Sequence, residues 1–313
     1  MNDLEKRFTS INIWKKDGQR APHKPLLILM AIARYLNGGE RLISYREIHD
    51  NLKKLLMNFG PSRKSYHPEM PYWYLQSDGL WEITNVDISN LKIGDITPKS
   101  RIFLENNSSG GFPKEIYEEI MKDRKLAHRI IESVLYAHFP ESIHTDILEA
   151  INIDDAIYPE SKGRTRNPIF RENVLRAYGY KCAICGFSAR LENILVGIEA
   201  AHIRWFQAGG PDNEKNGLAL CSLHHKLFDR GMFTLNDSLR IEVSEKANGS
   251  GNFKELVLDF HGKSIQPPIR PSYYPKNDFI LWHVNEVFQG PGRYPQPPHP
   301  ATSIQYPVPG TGV

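Results

Sequence analysis

The sequence predicts an α+β protein: a helical N-terminal domain carrying one β-hairpin, followed by a small unit of strands and a helix braced by metal. Three observations support this. Apolar residues recur at helical spacing through much of the first 153 positions. An aromatic strand–turn–strand pattern interrupts them. All three cysteines fall in the second half of the chain, at metal-ligand spacing.

The elements follow in order. Pro25 to Leu36 is almost wholly apolar, with proline near its start and Gly38-Gly39 beyond its end, as helix boundaries prefer. Ser44-Tyr-Arg-Glu47 is a capping box, and it opens a helix whose Ile48, Leu52, Leu55 and Leu56 share one face. Tyr72–Gln76 and Leu80–Ile83 flank Ser77-Asp-Gly79 and are expected to form the hairpin. Three further helical stretches run from Pro113 to Ile151. The expected division is a reading domain over 1–153, a linker over 154–167, a metal-braced domain over 168–265 and a Pro-rich tail over 266–313. Met232–Leu235 and Leu239–Val243 read as strands, and the tail as disordered or loosely draped.

The balance of 39 basic and 36 acidic residues leaves a net charge of only +3, so any nucleic-acid surface must come from local clusters. Lys15-Lys16, Lys53-Lys54, Arg63-Lys64 and Arg164-Thr-Arg166 are such clusters, each of which also suits a solvated face. The N-terminus carries no apolar signal region and no run reaches membrane-spanning length, so a cytoplasmic location without membrane contact is expected. Three cysteines in a reducing compartment argue for metal or isolated thiols over a disulfide framework.

Cys182-Ala-Ile-Cys185 is followed 36 residues later by Cys221-Ser-Leu-His224. Two knuckles of this kind commonly hold a tetrahedral zinc between short segments that a small core could not order alone. The competing interpretation is a set of buried thiols with an incidental histidine.

Interleaved with the second knuckle are Ala200-Ala-His202, Asn216-Gly217 and His225 to Asp229, with His202, Asn216 and His225 spaced 14 and 9 apart. Here the chain resembles the HNH, or ββα-metal, nucleases of the restriction type. The resemblance implies that His202 is the general base, that His225 and Asp229 hold a catalytic Mg²⁺ or Mn²⁺, and that Asn216 holds the loop that orients His202. Adjacent helical residues point about 100° apart, so His224 can serve the zinc while His225 faces the reaction. Asp229 lies one turn beyond His225 on the same face. Many members have a further metal ligand immediately before the base, where this chain has Ala201; Glu199, on the same strand face, is a possible substitute.

In the first half, Arg20-Ala-Pro-His23-Lys24-Pro25 suits a phosphate at a helix start, and Ser65 to Trp73 is rich in proline and aromatic residues. Together with Asp78-Gly-Leu-Trp-Glu-Ile83, these passages resemble the sulfur-recognising domain of McrA-type restriction endonucleases, which bind phosphorothioate DNA. Sulfur is larger, more polarizable and a poorer hydrogen-bond acceptor than oxygen, so an apolar recess can favour it. The resemblance implies a recess walled by His67, Pro68 and Pro71, with His23 and Lys24 on nearby DNA and Arg63 and Tyr66 as neighbours.

The whole then implies a modification-dependent endonuclease acting on double-stranded DNA as a homodimer, leaving 5′-phosphate and 3′-hydroxyl ends. Two alternatives stay open at this point. One is an HNH endonuclease that reads another modified base or unmodified DNA. The other is a non-catalytic DNA-binding protein that uses the fold as a zinc scaffold.

Overall fold

A computed structural model of the chain describes residues 3–13, 19–86, 99–153 and 168–293. The expected linker, Lys15-Lys16, Arg164, Arg166 and the end of the expected tail lie outside those residues.

The N-terminal domain is built around α2 (His23–Leu36), whose apolar surface is buried on nearly every side, as expected of a central helix. Around it stand α1 (Asp3–Thr9), α3 (Tyr45–Phe59), α4 (Glu69–Tyr74) and α7 (Arg124–His138). Ser44 caps α3 with its hydroxyl accepting from Glu47 N at 3.3 Å, as the capping box predicts. Between these helices lies a three-stranded antiparallel sheet in the order β1 (Ile43–Ser44), β3 (Ser109–Gly111), β2 (Glu82–Thr84). α5 (Ser100–Glu105) precedes β3, and α6 (Lys114–Lys122) and α8 (His144–Ala150) complete the domain.

The hairpin is not where the sequence pattern places it. Tyr72–Tyr74 ends α4, and Leu75–Asp78 continues as a 3-10 turn closed by Gly79 at φ 67°. Ser77-Asp-Gly79 is therefore a helix terminus, and β2 pairs with β3 instead of with residues 72–76. The physical reason is the packing of Tyr72 and Trp73, both fully buried, against Tyr45, Phe103 and Trp81, contacts that the helical form makes in full.

The C-terminal domain begins with α9 (Pro168–Ala177), followed by the hairpin β4 (Ala189–Leu191) and β5 (Ile194–Val196). Its centre is the antiparallel pair β6 (Ile198–His202) and β7 (Gly217–Cys221), running directly into α10 (Ser222–Asp229). Gly217 opposes His202 in this ladder, and a Cβ there would lie 2.3 Å from Val174 of α9. Only glycine lets α9 approach the strands so closely. β8 (Phe233–Leu235) and β9 (Ile241–Val243) form a second pair, and α11 (Phe253–Leu256) follows.

The stretch beyond 266, expected as a loose tail, is folded through residue 293. It contains α12 (Asn277–Glu286), which buries Ile280, Trp282, His283 and Glu286. The abundance of Pro, Gly and Tyr concealed an apolar series, Ile280, Trp282, Val287 and Phe288, each no more than 6% exposed. Trp282 and Val287 join Trp205 in the hydrophobic core of the N-terminal domain, so the two domains share buried surface. Polar contacts reinforce that junction. Arg20 donates to both the carboxylate and the backbone carbonyl of Glu286, and Arg63 donates to the same carboxylate at 2.9 Å. Lys226 of α10 pairs with Asp146 of α8 at 2.6 Å. Among the described residues no helix is long and apolar enough to cross a membrane.

Candidate active site

Cys182, Cys185, Cys221 and His224 converge, with one ligand atom from each lying within 4.8 Å of all the others. Tetrahedral zinc with bonds of about 2.3 Å to sulfur and about 2.0 Å to nitrogen needs ligand separations a little under 4 Å, so small inward movements complete the site. His224 turns Nδ1 towards the sulfurs, 3.1 Å from Cys221, and its Nε2 donates to Leu256 O at 2.9 Å. That second bond fixes the tautomer that presents Nδ1 as the ligand. Three thiols this close do not ionise alike. Hydrogen bonds from Cys185 and Cys221 hold the Cys182 thiol far below the ordinary range, while the bond to Cys182 pushes Cys221 up.

His225, the next residue, points the other way. Its Nδ1 lies 2.6 Å from Glu199 Oε2, and its Nε2 lies 3.1 Å from Asp229 Oδ2. Adjacent ligands of an octahedral ion at roughly 2.1 Å stand about 3 Å apart, so the nitrogen–oxygen pair suits a Mg²⁺-sized cation. Burial works to lower the His225 pKa, but the Asp229 and Glu199 carboxylates outweigh it and raise the value to about 9. Burial correspondingly works to raise Asp229, and His225 with the hydrogen bonds it receives holds it below the carboxylate range. Glu199 therefore sits behind His225, opposite Asp229. This carboxylate–histidine arrangement orients a metal-binding ring. Ala201, in the place of the further ligand, is fully buried.

His202 ends β6 with Nε2 2.8 Å from Asp212 Oδ1, and Phe170 of α9 stacks on its ring at 3.9 Å and 12°. Asn216 is fully buried. Its side chain accepts from Arg204 N at 2.8 Å and donates to Arg204 O and Pro211 O, both at 3.0 Å, which pins the loop between β6 and β7. His202, His225 and Asp229 line one cleft of about 410 Å³, whose other wall is Tyr136, Pro140 and Glu141 of the N-terminal domain. Asp212, Phe170 and those three wall residues were missed in the sequence. Only Asp212 left a signal, its place in Gly209-Gly-Pro-Asp212 close to His202.

The expected sulfur site is gathered only in part. His23 lies within electrostatic reach of His67, Arg63 and Glu69; burial first, then His67 and Arg63, press its pKa down to about 4. His67 is exposed, with its ring nitrogens 2.9 Å from Ser65 Oγ and 2.8 Å from Glu69 Oε1. Pro68 and Pro71 are buried at the start of α4, beneath the surface that His67 and the exposed Met70 present. Lys24 is engaged within the protein. Its ammonium donates to Asp78 Oδ2 at 2.6 Å and to Asn12 O at 2.8 Å, with the pair's side chains 13% and 8% exposed. Arg20, expected near phosphate, instead lies over the Trp205 ring at 4.0 Å in the domain junction.

Comparison with known proteins finds a separate family match in each half of the chain. Residues 1–156 match the family model of the ScoMcrA-like DNA sulfur-binding domain, and residues 182–236 match that of the HNH endonuclease. No curated protein gives a significant match to the chain. Among solved structures, the sulfur-binding domain of ScoMcrA complexed with phosphorothioated DNA is 17% identical, covers 50% of this chain and all of its own, and superposes with a TM-score of 0.42. The modification-dependent TagI restriction endonuclease is 25% identical over 39% of this chain and 38% of its own, with a TM-score of 0.29. The type IV phosphorothioation-dependent restriction endonuclease ScoMcrA is 20% identical over 58% of this chain and 36% of its own, with a TM-score of 0.39. The chain thus joins a ScoMcrA-like DNA sulfur-binding domain to an HNH endonuclease domain, and it belongs with the DNA endonucleases.

Proposed function

We propose that the chain binds phosphorothioate-modified double-stranded DNA through residues 1–153 and hydrolyses a nearby phosphodiester bond in the cleft between its domains. The observation that carries this reading is the shared cleft: the reading domain forms one wall, and His202, His225 and Asp229 form the other.

In this scheme His202 accepts a proton from the attacking water. Asp212 favours the tautomer with hydrogen on Nε2, which leaves the basic lone pair on Nδ1, and the stacked Phe170 keeps the ring from swinging away. Asn216 holds the loop that carries both His202 and Asp212 in place. His225 Nε2 and Asp229 Oδ2 are the protein ligands of a Mg²⁺ or Mn²⁺, with Glu199 aligning the imidazole from behind. When bound, that ion supplies Lewis-acid stabilisation of charge on the scissile phosphate and its leaving oxygen. As the new phosphorus–oxygen bond forms, the bond to the 3′ oxygen breaks. Water supplies the proton that gives the 3′-hydroxyl end, opposite a 5′-phosphate. Zinc at Cys182, Cys185, Cys221 and His224 braces the first knuckle against α10, which positions His225.

One such centre cuts one strand, so a double-strand break calls for two chains, as in a homodimer, or two successive events. In the reading domain, His23 is neutral at pH 7 and stands within electrostatic reach of the exposed His67, where an uncharged ring suits a polarizable sulfur better than it suits an oxyanion. The test is cleavage of two duplexes of one sequence, with and without a single phosphorothioate, in Mg²⁺ or Mn²⁺. Selective cutting of the modified duplex, lost in His202→Ala, is expected. Equal cutting of both would remove the selectivity, and cutting of neither would remove the function.

A further inference from the structure

We infer that Ser142, a residue of the reading domain, is a positioning residue for the Asp229 carboxylate, so that the metal site of the nuclease is completed from the other domain. This rests on the reading of His225 and Asp229 as ligands of a divalent ion.

Asp229 is 4% exposed, and its oxygens are held by groups from three separate elements. Trp205 Nε1 donates to Oδ1 at 3.1 Å. His225 Nε2 faces Oδ2 at 3.1 Å. The Ser142 hydroxyl makes a short hydrogen bond to the same Oδ2. A carboxylate oxygen has two lone pairs, so Oδ2 can accept from the Ser142 hydroxyl with one and serve a cation beside His225 with the other. A buried carboxylate without such donors would lose hydration that nothing replaces and would rotate freely about its terminal bond.

The hydroxyl is also delivered from a fixed platform. Ser142 occupies the 3-10 turn Glu141–Ile143 between α7 and α8, and Ile143 is buried in the core at 1% exposure. On one side of the turn, Phe139 O accepts from Gln207 of the nuclease domain at 2.9 Å. On the other, Asp146 pairs with Lys226 and Arg230, which flank Asp229 on α10 and just beyond it. The turn is therefore fastened to the nuclease domain at both ends, and its serine is aimed at the carboxylate.

The experiment is Mn²⁺ binding to the full chain, without DNA, by calorimetry, in the native protein and in Ser142→Ala, Ser142→Thr and Asp229→Asn. Binding that disappears in Asp229→Asn identifies the site. Loss of an outer hydrogen bond of this kind weakens metal affinity about tenfold or more, which is the effect expected for Ser142→Ala. Ser142→Thr keeps the hydroxyl and is expected to stay within about twofold of native. Zinc content and the thermal transition should be unchanged in both, which separates positioning from folding. Native affinity in Ser142→Ala overturns the inference, and so does tighter binding, which would make the serine a competitor of the ion. Mn²⁺ binding indifferent to Asp229→Asn overturns both this inference and the metal reading beneath it. Absence of DNA cleavage with the Ser142 effect intact would sink the proposed function alone.

Discussion

Asn216 offers a perturbation whose outcome depends on hydrogen-bond polarity more than on size. Its side chain is fully buried, accepts one hydrogen bond from Arg204 N and donates two, to Arg204 O and Pro211 O. Asn216→Ala removes all three, at about 1 kcal/mol each, a loss of about 3 kcal/mol. Asn216→Asp is nearly isosteric and keeps the bond from Arg204 N, yet it should be worse. An ionised carboxylate has no donor, so both carbonyls would face a buried negative charge. Two lost bonds plus a desolvation cost of several kcal/mol put the aspartate variant beyond the alanine one at pH 7. Lowering the pH restores a donor on the protonated acid and should narrow the gap. The assay is urea unfolding at pH 7 and pH 5, followed by tryptophan fluorescence, with cleavage activity measured alongside. An aspartate variant within about 0.5 kcal/mol of native, or milder than alanine, would refute the assignment of Asn216 as the donor that closes this loop.

Three other outcomes follow from the same contacts. Asp212→Asn should lower the cleavage rate by roughly tenfold to 100-fold while leaving Mn²⁺ affinity unchanged, a smaller loss than His202→Ala, because it weakens the support of the base without removing it. Lys24→Ala should destabilise the N-terminal domain by about 3 kcal/mol, since it removes the only cation paired with the nearly buried Asp78 among the described residues and leaves Asn12 N as its donor, and should alter DNA affinity little; a native melting temperature with lost DNA binding would reverse that assignment. Burial pushes His283 down to about 3, so between about pH 6.5 and 3 the unfolded chain binds a proton that the fold does not. Its contribution to stability is then lost as pH falls through that window, at up to about 1.4 kcal/mol per pH unit, and thermal unfolding of His283→Gln should show a shallower acid slope.

The nuclease centre was legible because its chemistry is local. Two knuckles, a strand ending in His202 and a helix carrying His224 to Asp229 bring the ligand-bearing residues close through short-range geometry, and the spacing survives in the sequence. The central helix and the capping box at Ser44 were legible for the same reason. What escaped depends on contacts distant in sequence. Tyr72 and Trp73 carry a pattern that a strand or a helix can satisfy, and only Tyr45 and Phe103 decide between them. Lys24 pairs with Asp78, 54 positions away, a contact that no local pattern announces. Ser142 has no motif at all; its importance comes from Asp229, 87 positions on. The folded stretch around α12 was hidden because composition averaged over a Pro-rich region drowned a brief apolar run.

The grip of Glu286 on Arg20 and Arg63 bears on the place of the proposed cut. After α10, the chain returns to the N-terminal domain and fastens to it through Glu286. Under the proposed function, the offset between mark and cut is then a dimension of the folded body, as with a caliper locked at one opening. Insertion of extra residues within 154–167 should leave the cut position unchanged, whereas Glu286→Ala should broaden it into a spread of positions.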